Sequence, residues 1–201
     1  MPAKKYSFNN DARTNHYIVT NETLDKKELE TLAQLLLSFP HAANTSTWPE
    51  AFRALDLTHT PKKLLKLAAN AYDQFGNTVL GVVAEYGNDL SALQKLVSMG
   101  ADVNEPDHLH NKLPIHWAID NKASSRNRDS VEAIAGLKFL VANGADLMLP
   151  RDRGDGSPPI STLQYAIGLK YTAAVSFLKI RILKPVSNSE EHASPRLYYR
   201  M

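Results

Sequence analysis

The sequence predicts an all-α fold, a solenoid of stacked helix–turn–helix units with a helical cap at its N-terminal end. Asn70 and Asn104 are 34 positions apart, as are Asp73 and Asp107, so one stretch of sequence occurs twice at a fixed period. Within each copy, apolar residues recur at spacings of 3 and 4, which is typical of amphipathic helices. A period of about 33 residues indicates units that stack on their neighbours.

The composition excludes several kinds of chemistry and indicates a soluble chain. The 201 residues include no cysteine, which excludes disulfides, thiolate nucleophiles and cysteine-ligated zinc. The formal net charge of +2 gives no electrostatic reason to expect a nucleic-acid partner or an anionic membrane surface. No apolar run approaches the roughly 20 residues that span a bilayer, and residues 1–20 lack the apolar core of a signal peptide. We expect a cytoplasmic, monomeric protein without membrane insertion.

Residues 1–47 are predicted to be a lead segment followed by a capping helix. Residues 1–22 are interpreted as irregular. Asp25 and Glu28 then form a D-x-x-E pattern, which is a helix start signal. Apolar residues follow at helical spacing as far as Phe39, so one face of this helix is predicted to cover the end of the stack.

Residues 48–184 are predicted to form the repeats. Residues 48–70 are interpreted as a degenerate first repeat with two short helices. Pro49 and Pro61 suit the first turn of each, where a missing backbone N–H costs nothing. A terminal repeat needs an atypical outer face because it has a neighbour on one side only.

The two clear copies follow at residues 71–104 and 105–147. Thr78 is placed to cap the first inner helix, and Gly100 stands where a helix ends in a left-handed residue. The second copy is about ten residues longer than one period. The excess falls at 122–129, a polar stretch that predicts an exposed loop.

The last repeat is predicted to close the stack. It begins with a turn-rich stretch at 151–159, and its final helix is predicted to end before Pro185. Residues 185–201 are polar and are predicted to be a flexible tail.

These repeats carry a recognisable motif. The first copy has Asp73, Gly76, Thr78 and Leu80, and it ends in Gly-Ala-Asp-Val-Asn at 100–104. The second copy has Pro-Ile-His-Trp-Ala at 114–118 and Gly-Ala-Asp-Leu at 144–147. The chain therefore resembles the ankyrin-repeat family over residues 48–184. The resemblance implies a non-catalytic binding surface for another protein, with no cofactor.

The chain departs from the ankyrin pattern at several positions. Gly81 and Gln164 replace the histidine of the family motif, which only His116 retains. His110 or Asn111 replaces the turn glycine of the second copy, and Lys170 replaces the glycine between the last two helices. In the family, the retained histidine ties adjacent loops together by hydrogen bonds, so the resemblance implies a structural role for His116.

The resemblance also implies where a partner would bind. In ankyrin proteins, partners dock on the finger tips and on the concave face of the inner helices. Carried over position by position, the predicted partner-binding residues are Gln74, Phe75, Asn77, Glu85, Tyr86, His108, Leu109, His110, Trp117, Asp120 and Asn121. Phe75 is hard to explain as a core residue at an exposed tip. Trp117 has a second interpretation, packing between neighbouring repeats.

The chain carries no recognised catalytic or metal motif. There is no G-x-S-x-G, H-E-x-x-H, Walker or G-x-G-x-x-G pattern. His108 and His110 form the only close histidine pair, and they lack the third and fourth ligands that zinc requires. The Arg-Gly-Asp tripeptide at 153–155 is interpreted as part of a solvated loop. An enzyme or nucleic-acid binder that uses the N-terminal segment or the long loops remains an alternative of a different class.

The tail suggests a further alternative. Glu190 and Glu191 precede apolar residues near the terminus, Leu197, Tyr198 and Tyr199. This pattern is similar to the C-terminal signals of bacterial effectors secreted by type IV systems, many of which are ankyrin proteins. Under this hypothesis the chain is delivered into a host cell and binds a host protein through the same surface.

Overall fold

The computed structural model describes residues 3–10, 14–42, 48–86, 89–120, 134–151 and 156–183, which form a mixed α/β structure. In these residues the elements, in chain order, are β1 (Lys4–Asn10), β2 (Thr14–Thr20), α1 (Lys26–Leu36), α2 (Trp48–Ala54), α3 (Lys62–Ala69), β3 (Tyr72–Asp73), α4 (Val79–Tyr86), α5 (Leu90–Ser98), α6 (Pro114–Asp120), α7 (Ala135–Ala142), α8 (Thr162–Gly168) and α9 (Thr172–Leu183).

The chain begins with an antiparallel β-hairpin that the sequence analysis did not predict. In β1 and β2, Tyr6 pairs with Ile18 and Phe8 pairs with His16. Successive side chains of a strand point to opposite faces, so these four lie on one face of the sheet. Phe8, His16 and Ile18 are buried there, which explains why the strands form where they do.

The prediction of an all-α ankyrin solenoid is therefore wrong. Residues 1–22 were interpreted as irregular, but β1 and β2 lie within them and form a three-stranded sheet with β3. Tyr17 of β2 pairs with Tyr72, and His16 pairs with Asp73. The sheet joins the N-terminal segment to the first turn of the repeated region, so the fold is mixed α/β.

The helix predicted after the lead segment is present as α1. Asp25 caps it by accepting a hydrogen bond from the backbone N–H of Glu28 at 2.8 Å, and the Glu28 carboxylate accepts from the N–H of Asp25 at 2.9 Å. This reciprocal capping box satisfies two donors that the first turn of a helix otherwise leaves unpaired. Leu32, Leu35 and Leu36 of α1 are buried.

The remaining helices form a row of packed pairs. Helix α4 packs against α6, and α6 packs against α8, while α5, α7 and α9 pack against these inner helices in turn. A turn precedes each inner helix, and backbone hydrogen bonds join its two ends. In the first turn Tyr72 bridges to Thr78, in the second the N–H of Asp107 donates to the carbonyl of Lys112 at 2.9 Å, and in the third Arg151 bridges to Ile160.

The 34-residue period in the sequence corresponds to a repeated set of hydrogen bonds. The Asn70 side chain donates to the carbonyl of Gly100 at 2.8 Å and accepts from the N–H of Asp102 at 2.7 Å. The Asn104 side chain donates to the carbonyl of Gly144 at 3.0 Å and accepts from the N–H of Asp146 at 2.8 Å. Each asparagine therefore ties the end of one unit to the end of the next.

The helix ends also repeat one geometry. Gly100 and Gly144 have φ angles of 97° and 89°, and each follows a helix. In both cases the next residue donates to a carbonyl in the last turn of the helix, Leu96 or Leu140, which completes a Schellman motif. Lys170 adopts the same left-handed conformation at φ 55° after α8.

The second turn also contains a left-handed residue that is not glycine. The family pattern left His110 and Asn111 as alternatives for this position, and Asn111, with a φ of 49°, occupies it. Asparagine tolerates this region better than other residues that carry a Cβ atom.

Some of the segments discussed above lie outside the described residues. They are the loop at 122–129, the Arg-Gly-Asp tripeptide at 153–155 and the tail at 185–201. Among the described residues, no helix combines the length and the apolar character needed to cross a bilayer.

We predict that Lys170→Gly stabilises the protein by about 0.5–1 kcal/mol, because glycine adopts a positive φ without the strain that a Cβ atom causes. The measurement is the free energy of unfolding in urea. Lys179→Gly, at an exposed position inside α9, is the control and should destabilise by about 1 kcal/mol. A loss of stability in Lys170→Gly would contradict the prediction.

We predict that Gly81→Ala destabilises the protein by about 1–2 kcal/mol, although alanine is the better helix former. A Cβ atom at Gly81 would lie 2.8 Å from Thr78 Oγ1 and 2.8 Å from Trp117 Cδ1. Neither atom moves freely, because Thr78 Oγ1 accepts from the N–H of Gly81 and the Trp117 indole N–H donates to Asp107.

Gly168→Ala provides the matched control for Gly81→Ala. Gly168 is the last residue of α8, and a Cβ atom there would meet nothing within 4 Å. Alanine at this position should leave the melting temperature unchanged or raise it slightly. Equal effects of the two substitutions on the melting temperature would contradict tight packing of Trp117 over Gly81.

Candidate protein-binding surface

A buried aspartate fixes the shape of each of the first two turns. Asp73 Oδ1 accepts hydrogen bonds from the N–H groups of Phe75 and Asn77 at 2.9 and 3.0 Å. Asp107 Oδ1 likewise accepts from the N–H groups of Leu109 and His110 at 3.1 and 2.5 Å. Both aspartates are fully buried. These bonds hold the backbone of each turn in one conformation.

The two turns present apolar side chains to solvent at equivalent positions. Phe75 follows Asp73 by two residues and is 51% exposed. Leu109 follows Asp107 by two residues and is 64% exposed. Gln74 and His110 lie beside them and are also exposed. We call these four residues the tip surface.

The two turns are connected to each other by the main chain. The N–H of His108 donates to the carbonyl of Gly76 at 2.9 Å, so the second turn is fixed against the first. A Cβ atom at Gly76 would lie 3.1 Å from that of His108, which shows how closely the two backbones approach. The tip surface is therefore continuous across both turns.

Three stacked rings connect the turns to the N-terminal hairpin. The rings of Tyr72 and His108 stack with centroids 3.9 Å apart, and those of Tyr17 and Tyr72 stack at 5.3 Å. The Tyr17 hydroxyl hydrogen-bonds His108 Nδ1 at 2.7 Å. Lys5 Nζ lies 3.8 Å from the centroid of the Tyr17 ring. His108, a predicted binding residue, thus contacts the hairpin on one side and faces solvent on the other.

Burial sets the ionisation of this ring cluster. It raises the pKa of Tyr72 above its usual range, and the hydrogen bond that the Tyr72 hydroxyl donates to Glu105 adds to the effect. Burial also raises the pKa of Tyr17 and lowers the pKa of His108. The three rings are therefore uncharged near neutral pH, and their contacts are stacking and hydrogen bonds between neutral groups.

A second group of polar and aromatic residues surrounds Trp117. Its indole N–H donates to Asp107 Oδ2 at 3.1 Å, and Lys112 Nζ lies 3.9 Å from its ring centroid. Lys112 also forms an ion pair with Asp120. Trp117 is only 9% exposed and packs closely over Gly81, which fits the interpretation that it packs between neighbouring units. Its predicted role in partner binding stays a prediction.

Asp120 links this group to the third turn. The hydroxyl of Tyr165 donates to Asp120 Oδ1 at 2.5 Å, and the Arg151 guanidinium lies 4.5 Å from the Tyr165 ring centroid. Burial raises the pKa of Tyr165 above its usual range, and the hydrogen bond to Asp120 contributes in the same direction. Both charge signs and two aromatic rings therefore lie together on the helix face formed by α6 and α8.

The other predicted site residues lie in different environments. Asn77 is 7% exposed, and its amide donates to Asp73 Oδ2 at 3.0 Å inside the first turn. Glu85 of α4 is 4% exposed. Tyr86 is the last residue of α4, and its side chain lies outside the described part of the chain, as does Asn121.

Several residues of this surface were missed by the sequence reasoning. Lys5 and Tyr17 come from the hairpin, and the run of aromatic and β-branched residues at 17–20 was a signal for its second strand. Lys112 and Arg151 had no recognisable signal, because their positions depend on the turns and on contacts with another unit.

His116 has a structural position, as the resemblance implied. It is fully buried, its Nδ1 accepts from the N–H of Leu113 at 3.2 Å, and its Nε2 lies 3.3 Å from Thr162 Oγ1. Because Nδ1 is the acceptor, the proton resides on Nε2 and donates to Thr162. His116 thus links the second turn to the start of α8. Burial lowers its pKa to about 4.

A second buried histidine lies beneath the hairpin. His16 Nε2 donates to the carbonyl of Pro40 at 3.0 Å, and its ring lies 5.8 Å from that of His41 in an edge-to-face arrangement. Burial lowers the pKa of His16 to about 4, and the bond to Pro40 opposes this only in part. Within the described ranges, no group of three or more histidine, aspartate or glutamate side chains is arranged to hold a metal ion.

Comparisons with known proteins do not indicate a function for this chain. A scan of the chain against models of protein families finds no match, and a search of curated proteins finds no match either. The ankyrin resemblance therefore rests on the motif residues quoted above.

We predict that acidification from about pH 7 to about pH 4 lowers the free energy of unfolding. In the unfolded chain, histidine binds a proton near its ordinary pKa of 6.5, whereas folded His16 and His116 do so only near 4. The unfolded state therefore binds more protons in this window. The contribution of the two neutral histidines to the free energy of unfolding is fully present above about pH 6.5 and is lost as the pH falls towards 4.

Urea unfolding across this pH range checks the prediction. His16→Gln keeps an N–H donor for the Pro40 carbonyl but cannot titrate, so its stability should depend less steeply on pH than that of the wild type. His59→Gln, at an exposed position, is the control and should follow the wild type. A wild-type free energy that stays constant from about pH 6.5 to about pH 4.5 would contradict it.

Proposed function

We propose that this protein is a non-catalytic protein-binding module whose partner docks on the tip surface and on the adjoining helix face. The observation that carries the proposal is the pair of exposed apolar side chains, Phe75 and Leu109, at equivalent positions of two connected turns. Exposed aromatic and leucine side chains are hydrated at a cost in free energy, which is recovered when they enter apolar pockets of a partner.

The rigidity of the turns supports this role. Association costs free energy when loops must be ordered, and a surface that is already ordered avoids that cost. Asp73 and Asp107 supply the order from within each turn, and the hydrogen bond from His108 to Gly76 supplies it between the turns. A partner would therefore meet Phe75 and Leu109 at a fixed separation.

The helix face around Trp117 supports specificity. Lys112, Asp120 and Arg151 carry charges of both signs within hydrogen-bond or ring contact of Trp117 and Tyr165. Lys112 is buried, whereas Asp120 and Arg151 are half-buried and can meet the charges of a partner. Charged groups at the rim of an interface select partners with complementary charge more than they add affinity. We therefore assign affinity to the tip surface and selectivity to the helix face.

We advance no second function. No contact among the described residues favours an enzyme or a nucleic-acid binder over a protein-binding module. The tail on which the secreted-effector hypothesis depends lies outside the described residues, so that hypothesis stays a prediction from the sequence.

Site-specific photo-crosslinking tests which surface meets a partner. A photoreactive phenylalanine analogue is introduced at position 75, at position 109 or, as the control, at position 180. Ile180 is 61% exposed on α9, so it is a similarly exposed apolar site. A protein that crosslinks from 75 and 109 but not from 180 identifies a partner of the tip surface. Equal crosslinking from all three positions would contradict the assignment.

We predict that Phe75→Ala combined with Leu109→Ala weakens binding of that partner by about thirtyfold, because apolar anchors at an interface contribute about 2 kcal/mol when they are desolvated. The measurement is the Kd by isothermal titration calorimetry. Met148→Ala removes an apolar side chain that is 75% exposed elsewhere and should leave the Kd within about twofold. An unchanged Kd in a folded double variant would place the interface elsewhere.

A further inference from the structure

The hairpin creates a second accessible surface, on the side of the sheet away from the ring cluster. The sheet has the order β1-β2-β3, which places β1 at an edge. In the described part of the chain no strand pairs with the outer side of β1. An edge strand leaves a row of backbone N–H and C=O groups without strand partners, and such a row can pair with another extended chain.

A groove lies beside this edge. It has a volume of about 370 Å³ and runs between β1 and α1. Tyr6 and Phe8 line it from the strand, and Leu29 and Ala33 line it from the helix. The groove is largely apolar, so side chains that enter it from an added strand would be removed from water.

The geometry fits one further strand. The helix residues that line the groove extend from Lys26 to Ala33, about 10 Å along the helix axis. This length accommodates three or four residues of extended chain. Alternate side chains of an added strand would enter the groove, and the others would lie on the opposite face with Lys5 and Ser7.

The charges at one end of the groove indicate what the strand carries. Lys4 lies at the start of β1 and Lys26 at the start of α1, and Lys5 lies beside Lys4 on the opposite face of the strand. In the described residues neither Lys4 nor Lys5 contacts a carboxylate: Lys4 donates to Thr23, and Lys5 lies over Tyr17. Lys26 forms only a long, exposed pair with Glu30 at 3.9 Å. Such pairs contribute little stability, so Lys26 remains accessible to another carboxylate.

Two of the neighbouring acidic residues are paired elsewhere: Glu22 and Glu28 both pair with Lys63, at 3.0 and 2.8 Å. Glu30 also lines the groove, and it forms only the exposed pair with Lys26. Among Lys4, Lys26 and Glu30, positive charge is therefore in excess at this end of the groove. A second copy of β1 would bring its own Lys4 and Lys5 to this surface, whereas an acidic chain complements it.

We propose that the edge of β1 and this groove bind an extended, acidic peptide segment of another protein as a fourth strand. The strand pairs antiparallel to β1, places small apolar side chains between Phe8 and Ala33, and places its acidic residues at its C-terminal end, beside Lys4 and Lys26. Main-chain hydrogen bonds supply affinity in this mode, and the groove and the lysines supply selectivity. The proposal is independent of the tip surface, because the groove opens on the other face of the sheet.

The test uses a defined probe. A fluorescein-labelled peptide of about eight residues alternates threonine with valine and ends in two glutamates, a length typical of an added strand. Its binding to the full chain is followed by fluorescence anisotropy, and saturable binding is expected. The same peptide ending in two lysines should bind at least about tenfold more weakly.

Backbone methylation separates strand addition from simple charge attraction. Two further peptides carry N-methyl groups, one on the valines and the other on the threonines. In a strand, the N–H groups of alternate residues point towards the neighbour and the rest point away. One methylated peptide should therefore lose binding, and the other should stay within about twofold of the parent. Equal binding of both would overturn the proposal.

Variants of the chain locate the site. Ala33→Phe fills the groove and should weaken binding at least about tenfold, whereas Gln34→Phe, at the exposed neighbouring position, should not. Lys4→Glu with Lys26→Glu should weaken binding to a similar extent without altering the core, and Lys138→Glu on α7 is the charge control. The lysine variants keep the test decisive if Ala33→Phe fails to fold.

Three results would overturn the proposal. They are absence of saturable binding up to about millimolar peptide, binding that neither the groove variant nor the lysine variant changes, and a stable dimer in light scattering that Ser7→Pro converts to monomer. The last result would assign the edge of β1 to a second copy of this chain.

Discussion

Buried carboxylates at the base of the first two turns are the constraint on which the tip surface depends. Asp73 accepts hydrogen bonds from the backbone of its own turn, from the Asn77 amide and, through Oδ2 at 3.0 Å, from the N–H of Ala42. It therefore joins the first turn to the segment after α1. A buried carboxylate is stable only when several hydrogen-bond donors surround it. The turn supplies these donors, and the carboxylate in return holds the turn in one conformation. The exposure of Phe75 is a direct result.

The N-terminal hairpin adds a sheet to what is otherwise an arrangement of paired helices. It joins the first turn through β3 and the second turn through His108, so one flank of the turns is covered by the chain itself. Phe75 and Leu109 remain outside this contact and are exposed. The opposite face of the hairpin packs towards α1, and no strand of the described residues pairs with the outer edge of β1. One small sheet thus borders both of the surfaces that we propose for binding.

Features of the candidate site could be predicted from the sequence where they depend on residues close together in the chain, and not where they depend on contacts between distant residues. Phe75 and Leu109 were predicted from the finger positions that the ankyrin resemblance implies, and both side chains are exposed at the tips of their turns; their role in binding stays a prediction. The environment of Trp117 was only half anticipated, since its contact with Gly81 joins two units. Lys112 and Arg151 were not found, because a lysine or arginine outside a motif gives no indication of which ring or carboxylate it will meet.

The sequence by itself determined the period of the repeated units, the start of α1 at its capping box and the helix end at Gly100. The capping box and the helix end each depend on residues within about five positions of one another, where backbone geometry restricts the choices. Only the tertiary structure decided that Lys4–Asn10 and Thr14–Thr20 pair as strands and that the fold is mixed α/β. A short hairpin is marginal by itself, and it is stabilised here by pairing with β3 and by the contact of Tyr17 with His108, 91 positions away. Contacts across such separations leave no periodic trace in the sequence, because the two partners are brought together only when the units between them have folded.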